Sequence, residues 1–362
     1  MGDGYMLEKQ KGYDKLVDDV PGLFEKQHTY REYFRYFNFH RVNLISEDDG
    51  IDGNGRTANT ALDGHTVGTV QGHVNIDKSL VHEMLRKLPD SDGLAIVYVK
   101  QGSLGMGGGG VATIGGRNAK TTIHEFGHAF ASLGDEYTTR TSNRSTVRQA
   151  PNIAGTDDPE LVPWAHWLAA KVPGIGVYQG ANGMQRGAWK PSASGCTMAS
   201  GERFCRPCRE AVVLEVYRRV DPIDTVTPRT LDVLTGAGPH EFTAQVQRPE
   251  RHDLRIEWHV FPESEAPAIP TEGKGRRSDR RSRGTLTELT TKPAQRNKSG
   301  KTGEVSFTLK TSKLDPGRYM VLCRVHDNTM LRGEKWPWVL KDDHDLLKSE
   351  RAWWVVVTHE GR

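Results

Sequence analysis

The sequence predicts an α+β domain built on a small mixed sheet, followed by an all-β sandwich. Three observations carry this. Strand-like and helix-like periodicities alternate up to Asp221. The run "HEFGH", residues 124–128, sets two histidines four apart in the middle of that half, the spacing of one helical face. Beyond "DPIDTVTP", which starts at Asp221, period-two strands take over. The 362 residues suit about two domains, expected at 1–222 and 223–362.

In order along the chain, residues 37–46 ("FNFHRVNLIS") read as a strand. Residues 79–88 read as a helix with Leu80, Val81, Met84, Leu85 and Leu88 on one stripe. Residues 93–100 ("GLAIVYVK") are short, apolar and β-branched, hence a buried strand. The glycine tract "GMGGGGVATIGG" leads into another strand at 111–114, which is expected to offer a free edge. A helix carrying "HEFGH" follows, with two more expected in "PELVPWAHWLAAKV" and "PCREAVVLEVYRRV".

In the second half, "HDLRIEWHVF" points Leu254, Ile256, Trp258 and Val260 to one face. "EVSFTL", "RYMVLCRV" and "AWWVVVT" continue the alternation. "LDPGRYMVLC" is similar to the tyrosine corner of an immunoglobulin-like sandwich, with Trp258 as its buried strand tryptophan. Cys323 lies four residues after Tyr319 and has no partner cysteine nearby, so no inter-sheet disulfide is expected.

A net charge of +3, with charges of both signs, points to no polyanionic partner, and no nucleic acid is expected. The basic run at residues 274–283 lacks interleaved aromatics and reads as a solvated loop. No segment is long and apolar enough to span a membrane, and no signal peptide is visible at the start. Nothing in the sequence specifies an oligomeric state. The acidic turn "EDDGIDGNG" fails the spacing of a calcium loop. Cys196, Cys205 and Cys208 form C-x8-C-x2-C, which leaves three uses open: a disulfide from Cys196 to Cys205 or Cys208, buried free thiols, or a second zinc. A structural zinc wants a fourth ligand from a second pair, and the sequence offers no such pair.

The chemistry concentrates in "HEFGHAFASLGDEY". His124 and His128 sit one turn apart and can share a cation, while Glu125 beside them can reach a bound water. Ile123, Phe126, Phe130 and Leu133 anchor the helix in the core. A catalytic zinc takes three protein ligands. On an unbroken helix Asp135 would lie about 10 Å beyond His128 along the axis, so the chain must turn back first. Gly134 is expected to end the helix in the left-handed conformation. Asp135 is then the favoured third ligand, with Glu136 the close competitor and His166 the distant one.

These residues resemble the zinc motif of the IgA-peptidase family, metallopeptidase family sixty-four. "FNFHRVNLIS", "TALDG", "GMGGGG" and the block "GIGVYQGANGMQRGAWKPSASGCTMASGERFCRPCREAV" resemble further family segments, covering about residues 34–220. The resemblance implies a zincin-like fold, with His124, His128 and Asp135 as zinc ligands and Glu125 as catalytic base. It implies Met198 as a methionine turn beneath the metal, and a secreted or periplasmic endopeptidase acting on protein or peptide. Tyr137 is a candidate oxyanion donor. The rival readings are a zinc amidase on a non-protein substrate, and a binding module with a vestigial metal site; Glu125 counts against the second, because binding needs no base.

Overall fold

The computed structural model describes residues 1–53, 55–67, 72–89, 91–116, 119–140, 145–229, 233–236, 238–268 and 303–358. The basic run 274–283 lies outside them. The chain divides into two compact units, one of Met1–Arg31 with Asn38–Glu215, the other of Glu32–Phe37 with Val216–Arg362.

The first unit centres on a four-stranded sheet of β1 (Gly2–Asp3), β2 (Ala95–Val99), β3 (Gly105–Gly108) and β4 (Val111–Gly115), in the order β1-β2-β4-β3. The first three neighbours run parallel, and β3 folds back antiparallel on β4. Val97, Val99 and Val111 are fully buried, as two-sided burial of such a sheet demands. Helix α1 (Lys78–Lys87) lays Val81 and Leu85 into that core, with Leu80, Met84 and Leu88 packed at its margin. Asp77 caps it, accepting from the Ser79 amide at 2.8 Å.

Two expectations change here. Residues 37–46 form no strand; instead of a ladder partner, the Val42 and Leu44 carbonyls accept from the side chains of Tyr13 and Gln10. Residues 111–114 offer no free edge either, because β4 is bonded on both sides. The edge strand is the glycine-rich β3. It lies directly against helix α2 (Ala119–Ala131), and a side chain at Gly107 would put its Cβ 2.2 Å from the Glu125 carbonyl oxygen and 2.7 Å from His128 Cβ. Only glycine permits that approach.

The rest of the unit supports α2. Phe126 stacks on Phe130 at 5.2 Å and meets Phe24 edge-on at 4.9 Å. Tyr30 packs edge-on against Phe126 and Phe204. Of the expected helix in "PELVPWAHWLAAKV", only Ala165–Ala169 is helical. Helix α3 (Arg206–Arg219) begins between Cys205 and Cys208.

The second unit pairs two sheets over one core. Its first sheet joins β5 (Ile223–Thr227), β6 (His240–Val246) and β7 (Gly303–Leu309), with β6 central. Its second runs in the order Val233–Thr235, Lys348–Val357, Gly317–His326, Arg255–Pro262. Trp258 stacks on Trp353 at 5.7 Å and on Phe307 at 5.5 Å, so side chains from both sheets interdigitate. The Tyr319 hydroxyl donates to the Asp315 carbonyl, 3.1 Å away and four residues upstream.

The segment Glu32–Phe37 contributes a buried polar cluster to this unit. The Asp327 carboxylate accepts from Tyr33 (2.9 Å), Tyr217 (2.7 Å), His252 Nε2 (2.7 Å) and the Thr329 amide (2.6 Å). His252 Nδ1 donates to Glu32 at 2.7 Å. With a carboxylate on each ring nitrogen, both must carry hydrogens, so His252 is an imidazolium. Burial opposes that charge, but Asp327 and Glu32 overcome it and hold the His252 pKa up at about 10.

Candidate metal centre

The centre is assembled from one helical face and one turn. His124 and His128, one turn apart on α2, direct Nε2 to a common point, with 3.1 Å between the two nitrogens. Asp135 Oδ1 lies 3.1 Å from each. A tetrahedral cation with ligand bonds of about 2.0–2.1 Å separates its ligand atoms by roughly 3.3 Å, so this triangle has the size of a metal's ligand face.

The outer ring nitrogens decide what the inner ones present. His124 Nδ1 faces the Thr197 carbonyl at 3.0 Å, and His128 Nδ1 faces the Leu133 carbonyl at 2.5 Å. A carbonyl only accepts, so each Nδ1 carries the hydrogen and each neutral ring turns its Nε2 lone pair inward. Two lone pairs and a carboxylate oxygen then converge on one point. Such a set is satisfied by a cation, and two imidazoles with one carboxylate match the donor chemistry of a catalytic zinc site. Without an ion the set attracts protons. Burial works against a charge on His124, but Asp135 and the Thr197 carbonyl outweigh it and raise its pKa. Burial likewise opposes the Asp135 charge, yet hydrogen bonds and charge from both histidines hold its carboxyl well below the usual range.

Glu125 adjoins the triangle without joining it. Its side chain is buried, and this burial raises its pKa against the pull of the two histidines. On β3, a Cβ at Gly105 would lie 2.7 Å from Glu125 Cγ, so the strand passes directly over this side chain. The glycine edge strand thus packs against both the helix and its acid.

The turn into Asp135 differs from the expectation. Helix α2 stops at Ala131, and Ser132 takes the left-handed conformation with φ of 53°. Gly134 is needed for space instead, since a Cβ there would lie 2.4 Å from Ile153 Cγ1. Buried Asn152 fixes the turn, accepting from the Gly134 amide at 2.7 Å and donating to the Gly134 carbonyl at 2.9 Å. Neither Asn152 nor Thr197 carries a signal in the sequence, because neither belongs to a periodic or charged pattern.

Met198 is fully buried, and its sulfur would lie 2.9 Å from a Cβ at Gly127, on the helix between Glu125 and His128. The Tyr137 ring stands 6.0 Å from that of His124 and is partly exposed. The two alternative third ligands go elsewhere. His166 Nε2 bonds to Glu210 at 2.8 Å. Glu136 turns away from the histidines toward Cys196, Cys205 and Cys208. All four cysteines are free thiols, so of the three uses left open for Cys196, Cys205 and Cys208 the disulfide is not formed.

Residues 1–175 match the family described as IgA Peptidase M64. That stretch contains His124, Glu125, His128 and Asp135, while Met198 and the cysteines lie beyond it. No curated protein matches the chain.

Proposed function

The chain belongs, through residues 1–175, to the IgA Peptidase M64 family, and on that premise we propose that it is a zinc-dependent endopeptidase with Glu125 as general base. The observation that carries the reading is the 3.1 Å triangle of His124 Nε2, His128 Nε2 and Asp135 Oδ1, with a buried, proton-avid carboxylate beside it. Bound there, zinc would polarise the scissile carbonyl and acidify a water. Glu125 takes the water's proton and returns it to the leaving amine; its raised pKa suits both steps. The Thr197 and Leu133 carbonyls hold the imidazoles in the ligating tautomer. The outer edge of β3, the terminal strand of the sheet and adjacent to Glu125, is the surface on which an extended peptide would pair.

We also infer that the second unit is an immunoglobulin-like sandwich. Support comes from its three- and four-stranded sheets, the parallel pairing of Val233–Thr235 with Lys348–Val357, buried Trp258 and the Tyr319 corner.

The test is hydrolysis of unfolded casein and of a proteome-derived peptide library, with and without chelator. Cleavage is expected to require zinc, and Glu125→Ala is expected to abolish it while leaving metal content unchanged. Chelator-resistant cleavage, or near-normal turnover by Glu125→Ala, would refute the reading.

A further inference from the structure

The turn that carries Asp135 also delivers Glu136 into a second convergence of ligand atoms. Cys196, Cys205 and Cys208 direct their sulfurs at the Glu136 carboxylate, all four atoms within 4.8 Å of one another. Cys208 Sγ lies 3.1 Å and Cys205 Sγ 3.4 Å from Glu136 Oε1, and Cys196 Sγ lies 3.8 Å from Cys208 Sγ. We propose that Glu136, Cys196, Cys205 and Cys208 bind a second, structural zinc ion.

The spacing argues for it. Zinc–sulfur bonds of about 2.3 Å on a tetrahedron set sulfurs roughly 3.8 Å apart, and sulfur to oxygen roughly 3.5 Å. The cluster already has these dimensions. One disulfide would close two sulfurs to about 2.05 Å and leave the third thiol buried against a carboxylate. A single cation satisfies all four groups together.

The surroundings are those of a thiolate site. The amides of Met198 and Cys205 both donate to Cys196 Sγ at 3.4 Å, and hydrogen bonds of this kind stabilise metal-bound sulfur. Cys205 immediately precedes α3 and Cys208 is in its first turn, where the helix dipole favours negative charge. Glu136 is fully buried and oriented as a ligand. Ser192 Oγ donates to Oε2 at 2.5 Å and Asn152 Nδ2 to Oε1 at 3.0 Å. On binding, three thiol protons leave to solvent, and three thiolates and one carboxylate take up the dication. The resulting charge of −2 is met by those amides, the helix terminus and the Lys190 ammonium on the Glu136 carbonyl.

The position gives the ion a task. Glu136 follows Asp135, and Cys196 precedes Thr197, whose carbonyl holds His124. The Glu136 amide donates to Met198 at 2.7 Å, joining the two segments. An ion at this site ties together the supports of the first centre without touching substrate.

The experiment uses the full chain, purified with and without zinc. Elemental analysis is expected to find two zinc ions per chain, and one in the His124→Ala/His128→Ala variant. That variant loaded with cobalt is expected to show thiolate-to-cobalt charge-transfer absorption and tetrahedral d–d bands. This readout needs no peptidase activity, so it stands apart from the functional proposal. Glu136→Gln in the same background is expected to weaken cobalt binding by more than the roughly 10–100-fold that losing an outer partner costs. Where Cys205→Ser/Cys208→Ser fails to fold, the cobalt spectrum of the histidine variant decides. A spectrum without thiolate bands, or non-reducing mass spectrometry showing a disulfide among the three cysteines, would overturn the proposal.

Discussion

Asp135 and Glu136 are neighbours in the chain, yet their carboxylates serve different clusters. Asp135 Oδ1 lies 3.1 Å from the Nε2 atoms of His124 and His128, while Glu136 Oε1 lies 3.1 Å from Cys208 Sγ. Helical backbone sets neighbouring side chains about 100° apart, and here, past the end of α2, the chain directs consecutive side chains to two different sites. Asn152 holds this turn from within, bonded to Gly134 on one side and to Glu136 on the other.

Asp135→Ala should therefore cost the first centre its carboxylate and its metal. Peptidase activity is expected to fall by more than about 100-fold at limiting zinc, beyond what loss of an outer partner does. Titration of activity against free zinc checks this, and an unchanged zinc requirement would remove Asp135 from the ligand set.

Gly107→Ala should disturb the acid from the sheet side. The new methyl would lie 2.2 Å from the Glu125 carbonyl oxygen, so β3 or α2 must shift. Overpacking of this kind costs about 1–3 kcal/mol. Chemical denaturation measures that cost, and kcat should drop further than stability alone explains, because the forced shift moves Glu125 relative to the histidines. Wild-type kcat in a folded Gly107→Ala protein would show that no such shift reaches Glu125.

The buried imidazolium of His252 makes the second unit sensitive to alkali. Its folded pKa, about 10, exceeds the ordinary 6.5 of an unfolded histidine. The folded state therefore binds the proton more tightly. The stabilisation is complete below about pH 6.5 and drains away as pH climbs toward about 10. Urea unfolding followed by tryptophan fluorescence should show this loss, and His252→Gln should flatten the slope in that window. Equal slopes in both proteins would show that His252 is neutral in the fold.

A cut at residue 222 should produce a poorly soluble fragment. The second unit includes Glu32–Phe37, and the cut strips that segment of Asp327, His252 and the Gln247 carbonyl, the partners of Tyr33, Glu32 and Tyr36. Tyr33 is fully buried in the intact chain, and its exposure with Tyr36 would open an apolar surface. Soluble yield of 1–222, alone and co-expressed with 223–362, tests this; a soluble, monomeric 1–222 fragment would contradict it.

The first centre was legible in the sequence because its geometry is local. Two histidines four apart must share a helical face, and the limited reach of a metal bond forces the chain to turn before Asp135. The period-two strands around Trp258, Phe307 and Val321 were legible for the same reason, since alternation in a strand is a property of neighbours. Other features depend on segments far apart in the chain. The Thr197 carbonyl that sets the His124 tautomer is a backbone atom 73 residues downstream, which no residue identity announces. Residues 37–46 had the composition of a strand, but their Val42 and Leu44 carbonyls are held by the side chains of Tyr13 and Gln10. Glu136 reads locally as a rival to Asp135, and only the return of Cys196, Cys205 and Cys208 from some 60–70 residues downstream gives it a separate site. Spacing along the chain determines which side chains share a face; which faces meet is decided by the packing of the whole core.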